Sequence, residues 1–459
     1  MVTTQTDHRV TPVIEGESIG GSDTVDVRDS ATGGTFATVA VGDRETVETA
    51  LAAAEAARRS VGETSVAGRA NWCERVADDI RDREPDLADA LVRETGVPVA
   101  SARSEVAVAA EQFDLIADTV RSLTGKYRTW TTAEHEGDNS LVTAAPLGAV
   151  RCRSGGRAPL AMAALQVAPA LGAGNAVVLT PPPGTAVGVS LLADSLQSAV
   201  PTGAVGFVPA RVDTDDTDAP RADAVLTAGA AGVTRFEQWR GGGATTLVYT
   251  DADLDAAAAA VTAGGPSALD TRLAGTHRVL VHESVQSALV ERIAARVADW
   301  EAGDPFDDST VVGPLSDGSA ARQVARRIDD AVASGARLVR GGEVDGRHCE
   351  PTVLADVPRE SRLGREPIPG PVIPVTPFES KATALRLATE AGPLGVARVF
   401  TDRHSLAMDV ADAVDAGTVQ RHGAGADSAD RDAGHVGLDG EAATAAIRRF
   451  TQTKRVRTR

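Results

Sequence analysis

From residue 146 onward, short apolar runs alternate with longer stretches of helical spacing. Val178 and Leu179 lie in a strand, 184–198 in a helix, 204–208 in a strand and 224–227 in another. A second alternating set starts at 244. Thr246 to Tyr249 read as a strand and Leu254 to Val261 as a helix; Val279 to Val281 read as a strand and Val285 to Trp300 as a helix. The pattern continues through 319–334, 337–340, 371–377, 380–391, 397–401 and 403–415. Parallel strands need a crossover long enough to hold a helix, so this alternation predicts α/β architecture with parallel sheets and helices on their faces.

The first third reads differently. Residues 23–41 form short strands around the turn Asp29-Ser30-Ala31-Thr32-Gly33-Gly34. Residues 44–60, 65–95 and 99–123 carry helical periodicity, with Val47, Leu51, Ala54, Val76, Ile80, Leu87 and Leu91 on the buried faces. Residues 126–145 are strand-like and include Tyr127, Trp130 and Leu141. Residues 441–459 read as a helix followed by a polar strand.

A chain of 459 residues, 42% hydrophobic, is too long for one compact core and fits two or three lobes. It carries too much Leu, Val, Ile and Ala to be intrinsically disordered. The net charge is −18, and Lys126, Lys381 and Lys454 are the only lysines. Such an Asp-rich, lysine-poor surface is what a protein in concentrated salt needs, since hydrated carboxylates keep it in solution and salt screens their repulsion. The alternative is an ordinary acidic protein from a GC-rich genome. The charge argues against nucleic acid or an anionic membrane as partner. Cys73, Cys152 and Cys349 are scattered and make neither a disulfide framework nor a metal spacing. The first residues contain no apolar signal core, and the uncharged run Pro159 to Pro183 is broken by Gln166, Pro169, Gly172, Gly174 and Asn175. It reads as a buried helix, a turn and a strand, and the expected location is the cytoplasm.

Several segments then line up with one family. They include Pro146-Leu147-Gly148, Ala168-Pro169-Ala170-Leu171 through Gly174-Asn175, and Asp251-Ala252-Asp253-Leu254-Asp255. Val281-His282-Glu283, Gly313-Pro314-Leu315, Glu350-Pro351-Thr352-Val353-Leu354, Gly370-Pro371-Val372, Gly417-Thr418-Val419 and Phe450-Thr451-Gln452-Thr453-Lys454 follow in order. The ordered set resembles the aldehyde dehydrogenase superfamily over nearly the whole chain. That resemblance implies a nucleotide-binding-like lobe (1–122 and 146–242) and a catalytic-like lobe (243–425). It also implies a bridging, oligomerisation sheet (123–145 and 440–459).

The landmarks that carry the family's chemistry are replaced. In the family a cysteine thiolate attacks the aldehyde so that the adduct can expel hydride; its place falls on Leu273, between Arg272 and Ala274. The side-chain donor to the developing oxyanion is Asn in the family and Arg157 here. The general base that activates the deacylating water falls on Trp239. Two substitutes remain: Cys152, on the strand leading to the oxyanion loop, and Glu237, two residues before Trp239 and so on the same face of a strand.

The cofactor motifs change as well. The family's Lys-Pro-Ser-Glu turn is Thr180-Pro181-Pro182-Pro183, so both the cation at 180 and the carboxylate at 183 are gone. Its Gly-Ser-Thr, which opens a pyrophosphate-facing helix, is Gly229-Ala230-Ala231, and the span to Gly242 is too short for all of that helix. The carboxylate that holds the nicotinamide ribose falls on Pro367. No new chemistry replaces these losses. His277 and His282 face opposite sides of a strand, His422 and His435 read as exposed loop residues, and no metal site is expected. No cofactor is expected either, with NAD or NADP reserved for the case in which activity is retained. The reading is a catalytically inactive homologue with a partner or regulatory role, in a homo-oligomer or in a hetero-oligomer with an active relative. Two alternatives stay open: an NAD(P)-dependent oxidoreductase on aldehydes with relocated residues, and a small-molecule binding protein.

Overall fold

The computed structural model describes residues 8–21, 23–129, 139–156, 158–211, 224–229, 232–238, 244–263, 276–315, 318–366, 368, 370–390, 394–423 and 440–458. Among the described residues two seven-stranded sheets dominate, with two three-stranded sheets and a two-stranded one beside them.

The first third forms as its pattern dictates. Asp43 caps the helix Arg44–Gly62 by accepting the Thr46 N–H at 2.9 Å, and Ser65 caps Val66–Asp82 through the Gly68 N–H. The expected single run over 65–95 divides at Arg83. Pro85 has no N–H to continue the preceding ladder, but it fits the first turn of the next helix, Glu84–Thr95. Gly96 ends that helix in the left-handed conformation, φ 81°. The long helix Val99–Ser122 then packs against Val66–Asp82 and buries Phe113, Ile116 and Val120.

The first large sheet has the order Gly232–Gln238, Ala224–Gly229, Ala149–Arg153, Ala176–Leu179, Val205–Phe207, Val13–Ile14, Glu17–Ser18. Ala149–Arg153, Ala176–Leu179 and Val205–Phe207 run parallel, linked by the buried helix Pro159–Ala173 and the helix Ala186–Ala199. Here one expectation is corrected. Ala224–Gly229 runs antiparallel to Ala149–Arg153 and turns directly into the antiparallel Gly232–Gln238. The pairing Gly229↔Gly232 leaves only two residues for the turn, so no helix intervenes there. The alternation rule failed because a short apolar run does not by itself declare its direction.

The second large sheet has the order Arg337–Arg340, Thr352–Ala355, Val372–Phe378, Thr276–His282, Ala244–Val248, Leu394–Phe400, Ala416–His422. All its pairs are parallel except the outermost, Arg337–Arg340 with Thr352–Ala355. The helices Leu254–Thr262 and Glu283–Val297 cover one face; Lys381–Glu390 and His404–Ala413 cover the other.

The small sheet joins Thr451–Thr458, Asn139–Pro146 and Lys126–Thr129. Asn175 anchors it to the first sheet: its Oδ1 accepts the Gly148 N–H at 2.9 Å, and its Nδ2 donates to the Phe450 and Ala170 carbonyls at 3.0 and 2.9 Å. A fully buried amide with each of these partners satisfied fixes the three segments in one geometry, and removing it would leave their backbone groups unpaired. Among the described residues no helix is long and apolar enough to cross a membrane.

Candidate functional site

In doubly wound sheets, ligands bind outside the carboxyl ends of the parallel strands. Here that edge is formed by Arg153, Thr180 and the residues after Phe207. Thr180 is woven into the sheet. Its N–H donates to the Cys152 carbonyl at 2.8 Å, and its hydroxyl accepts Arg151 Nε at 3.1 Å. Only 1% of Thr180 is exposed. Pro183 is buried at the start of a single 3-10 turn, Pro183–Thr185. Gly229 ends a strand, where the family resemblance expected a helix to begin.

The register places the two candidate substitutes in one row. In the strand register Val225 stands opposite Cys152 on one side and opposite Glu237 on the other. Two strand spacings, roughly 10 Å, separate Cys152 from Glu237. Cys152 itself is fully buried among the core residues, and burial pushes its thiol well above the ordinary range. Leu273, Arg272, Ala274, Trp239, Arg157, Ala230, Pro367 and His435 lie outside the described residues. Among the described residues no cluster of His, Cys, Asp and Glu has metal-holding placement.

Two carboxylates at this edge, the buried Glu94 and the half-buried Glu105, were not singled out from the sequence. Glu94 accepts the N–H groups of Val187 and Gly188 at 3.0 and 3.3 Å, at the start of Ala186–Ala199. Glu105 accepts those of Leu160 and Ala161 at 2.8 and 3.2 Å, at the start of Pro159–Ala173. Burial pushes Glu94 up to about 8 and Glu105 up to about 7, against the pull of those backbone donors. The chain's own carboxylates therefore occupy both helix N-termini, the positions where an external anion would otherwise be held. The available signal was an acidic residue beside apolar ones on a helix: Glu94 after Leu91, and Glu105 before Val106.

His422, expected in an exposed loop, is a correction. It ends the strand Ala416–His422, is only 7% exposed and stacks on Phe400 with ring centroids 4.6 Å apart. Asp251 closes the carboxyl edge of the second sheet. It accepts Thr401 Oγ1 at 3.0 Å, the Asp402 N–H at 3.2 Å and Arg403 Nε at 3.3 Å.

Comparison with known proteins places this geometry. The model of the aldehyde dehydrogenase family matches residues 18–456. A succinate-semialdehyde dehydrogenase of Paenarthrobacter nicotinovorans is 33% identical over 390 residues, 80% of this chain and 85% of that protein. A 3,6-anhydro-alpha-L-galactose dehydrogenase of Streptomyces coelicolor is 33% identical over 439 residues, 88% of this chain and 86% of that protein. The crystal structure of succinate-semialdehyde dehydrogenase from Burkholderia pseudomallei superimposes with a TM-score of 0.84 at 25% identity, covering 98% of each chain. With a family match over nearly its whole length and the same fold, this chain belongs to the aldehyde dehydrogenase family.

Proposed function

We propose that this chain is a member of the family without aldehyde dehydrogenase activity, acting through assembly with other subunits. The observation that carries the reading is the hairpin from Ala224 to Gln238, with Gly229 paired to Gly232. A pyrophosphate needs several converging N–H donors, which a helix N-terminus supplies and a strand end does not. Thr180 adds no cation, and its hydroxyl is already engaged by Arg151. Pro183 adds no carboxylate. The residues present therefore do not fit a dinucleotide. Leu273 has no lone pair for attack on a carbonyl, and Cys152 is buried with its thiol protonated. The relatives are named as dehydrogenases, so ancestry supports an oxidoreductase scaffold; the replaced side chains speak against its chemistry here.

The assembly half of the reading rests on the small sheet. Tyr127, Leu141 and Val456 are directly opposite one another across its three strands, and they are 67%, 47% and 44% exposed. An apolar row of this kind, on a sheet that also carries Lys454 and Arg455, is what a subunit interface covers. The deciding experiment is titration of NADH and NADPH into the purified protein in molar KCl, followed by cofactor fluorescence. No binding at millimolar cofactor is expected. Micromolar binding overturns the reading, and aldehyde-dependent NAD(P)H production would then be the next assay.

A further inference from the structure

The buried side chains around the first large sheet and those around the second form separate clusters. One loop from the second body reaches the first. It follows the helix Glu283–Val297 and runs from Trp300 to Leu315. Its own hydrogen bonds fix its shape. The Gly303 N–H donates to the Val312 carbonyl at 3.1 Å, and the Val311 N–H donates to the Glu301 carbonyl at 2.8 Å. The Asp304 carboxylate accepts the Phe306 N–H at 3.0 Å. A loop braced in this way holds the Phe306 ring out from the second body.

Arg93, near the end of Glu84–Thr95, meets that ring. Two carboxylates of the first body hold its guanidinium: Nη1 donates to Asp29 at 2.6 Å and Nε to Asp89 at 2.8 Å. Guanidinium donors lie in the plane of the group, so these bonds engage its edge and leave its faces for rings. Its central carbon lies 4.9 Å from the Phe306 centroid and 5.5 Å from that of Phe36, both inside cation–π range. Beside it the Val99 N–H donates to the Pro305 carbonyl at 2.8 Å. One ion pair also crosses here, Arg103 Nη1 to Asp308 Oδ1 at 3.2 Å, with side chains 55% and 79% exposed.

These contacts answer salt differently. An exposed ion pair is screened as the Debye length falls from roughly 10 Å at 0.1 M to roughly 3 Å at 1 M. Arg93 touches its rings directly and is half-buried, so few ions come between them. We infer that Arg93 and Phe306 form a latch between the two bodies that keeps its strength in concentrated salt, while Arg103–Asp308 adds to it only in dilute salt. The latch holds whether or not a nucleotide binds.

The test is hydrogen exchange of the full-length protein, read by mass spectrometry at the Val99 amide, whose bond to Pro305 breaks when the loop lifts. Phe306→Leu keeps an apolar side chain and removes the ring face. It should speed Val99 exchange at least about threefold over the parent, in about 0.2 M and in about 3 M KCl alike. Phe306→Tyr keeps the face and should exchange like the parent. Asp308→Asn should speed exchange in the dilute buffer only. The amides of Ala176–Leu179 and Val372–Phe378, one strand from each body, should keep the parent's rates in all three variants. An unchanged Val99 rate in Phe306→Leu, an effect that disappears in concentrated KCl, or a tyrosine variant as fast as the leucine one would each overturn the proposal. So would equal acceleration in the two core strands, which would mean that Phe306 supports the whole fold and not the joint.

Discussion

Gly96 and Gly313 cross so closely that a Cβ on Gly313 would lie 2.0 Å from the Gly96 carbonyl oxygen. One on Gly96 would lie 2.2 Å from the carbonyl oxygen of Pro314. This crossing is where the loop before Gly318–Ala333 lies on the first lobe. The Val99 N–H donates to the Pro305 carbonyl at 2.8 Å nearby, and Arg93 lies over the Phe306 ring at 4.9 Å. Gly313→Ala should cost about 1–3 kcal/mol of stability, because the clash is with backbone that cannot rotate away. Urea unfolding of parent and variant checks this; an unchanged midpoint would mean that the crossing can open without cost.

Glu94 should make stability depend on pH in a definite direction. Its folded value, about 8, lies above the ordinary 4.5, first because burial disfavours the charged form. The folded state then binds the proton more tightly than the unfolded state, so this residue's contribution falls as pH rises from about 4.5 to about 8. Glu105 adds a fall in the same direction up to about 7. Glu94→Gln, which mimics the protonated acid, should flatten the decline between pH 5 and 9 in urea midpoints measured at constant KCl. A variant with the parent's slope would count against Glu94 as its source.

The three thiols should be inert in the folded protein. Burial pushes Cys73 and Cys349 up to about 12 and moves Cys152 in the same direction. Ellman's reagent at pH 8 should find no fast-reacting thiol in native protein and three after denaturation. One rapid native equivalent, mapped to Cys152, would revive a relocated nucleophile.

Restoring the missing sulfur should not restore the enzyme. Leu273→Cys supplies a thiol where the resemblance puts the nucleophile, but hydride still needs an acceptor, and on the proposed reading Thr180, Pro183 and the hairpin after Gly229 do not form its site. We expect no aldehyde-dependent NADH or NADPH production from this variant. Turnover by the single substitution would show that the cofactor cleft is intact.

A net charge of −18 should make the fold salt-hungry. Raising KCl from about 0.1 to about 1 M shortens the screening length from roughly 10 to roughly 3 Å and relieves self-repulsion. Exposed pairs such as Arg44–Glu48 and Arg59–Glu63 weaken at the same time, but each is worth little. Melting temperature should therefore rise with KCl by several degrees. A fall would mean that the ion pairs matter more than the excess charge.

Much of this architecture was legible before any coordinates. Strands expected at 204–208 and 337–340 and helices at 44–60, 99–123 and 403–415 stand where apolar periodicity put them, within a few residues. The buried helix, turn and strand between Pro159 and Pro183 follow from an apolar run interrupted at Gly174-Asn175. What escaped was local in sequence but decided at long range. The break at Arg83 is visible as Pro85 once the helix is known to restart there. The burial of His422 depends on Phe400, which reaches it only through strand pairing. Glu94 and Glu105 became site features only when the folded chain set two helix N-termini against them.

The amino-acid sequence by itself determined most of the apolar helix faces and the approximate bounds of many elements, because periodicity and caps are properties of the local chain. The tertiary structure decided the rest. It set the direction of Ala224–Gly229 and the register that puts Val225 opposite both Cys152 and Glu237. Strand direction and register come from contacts between distant segments, and a local pattern of apolar residues is satisfied equally well by either direction.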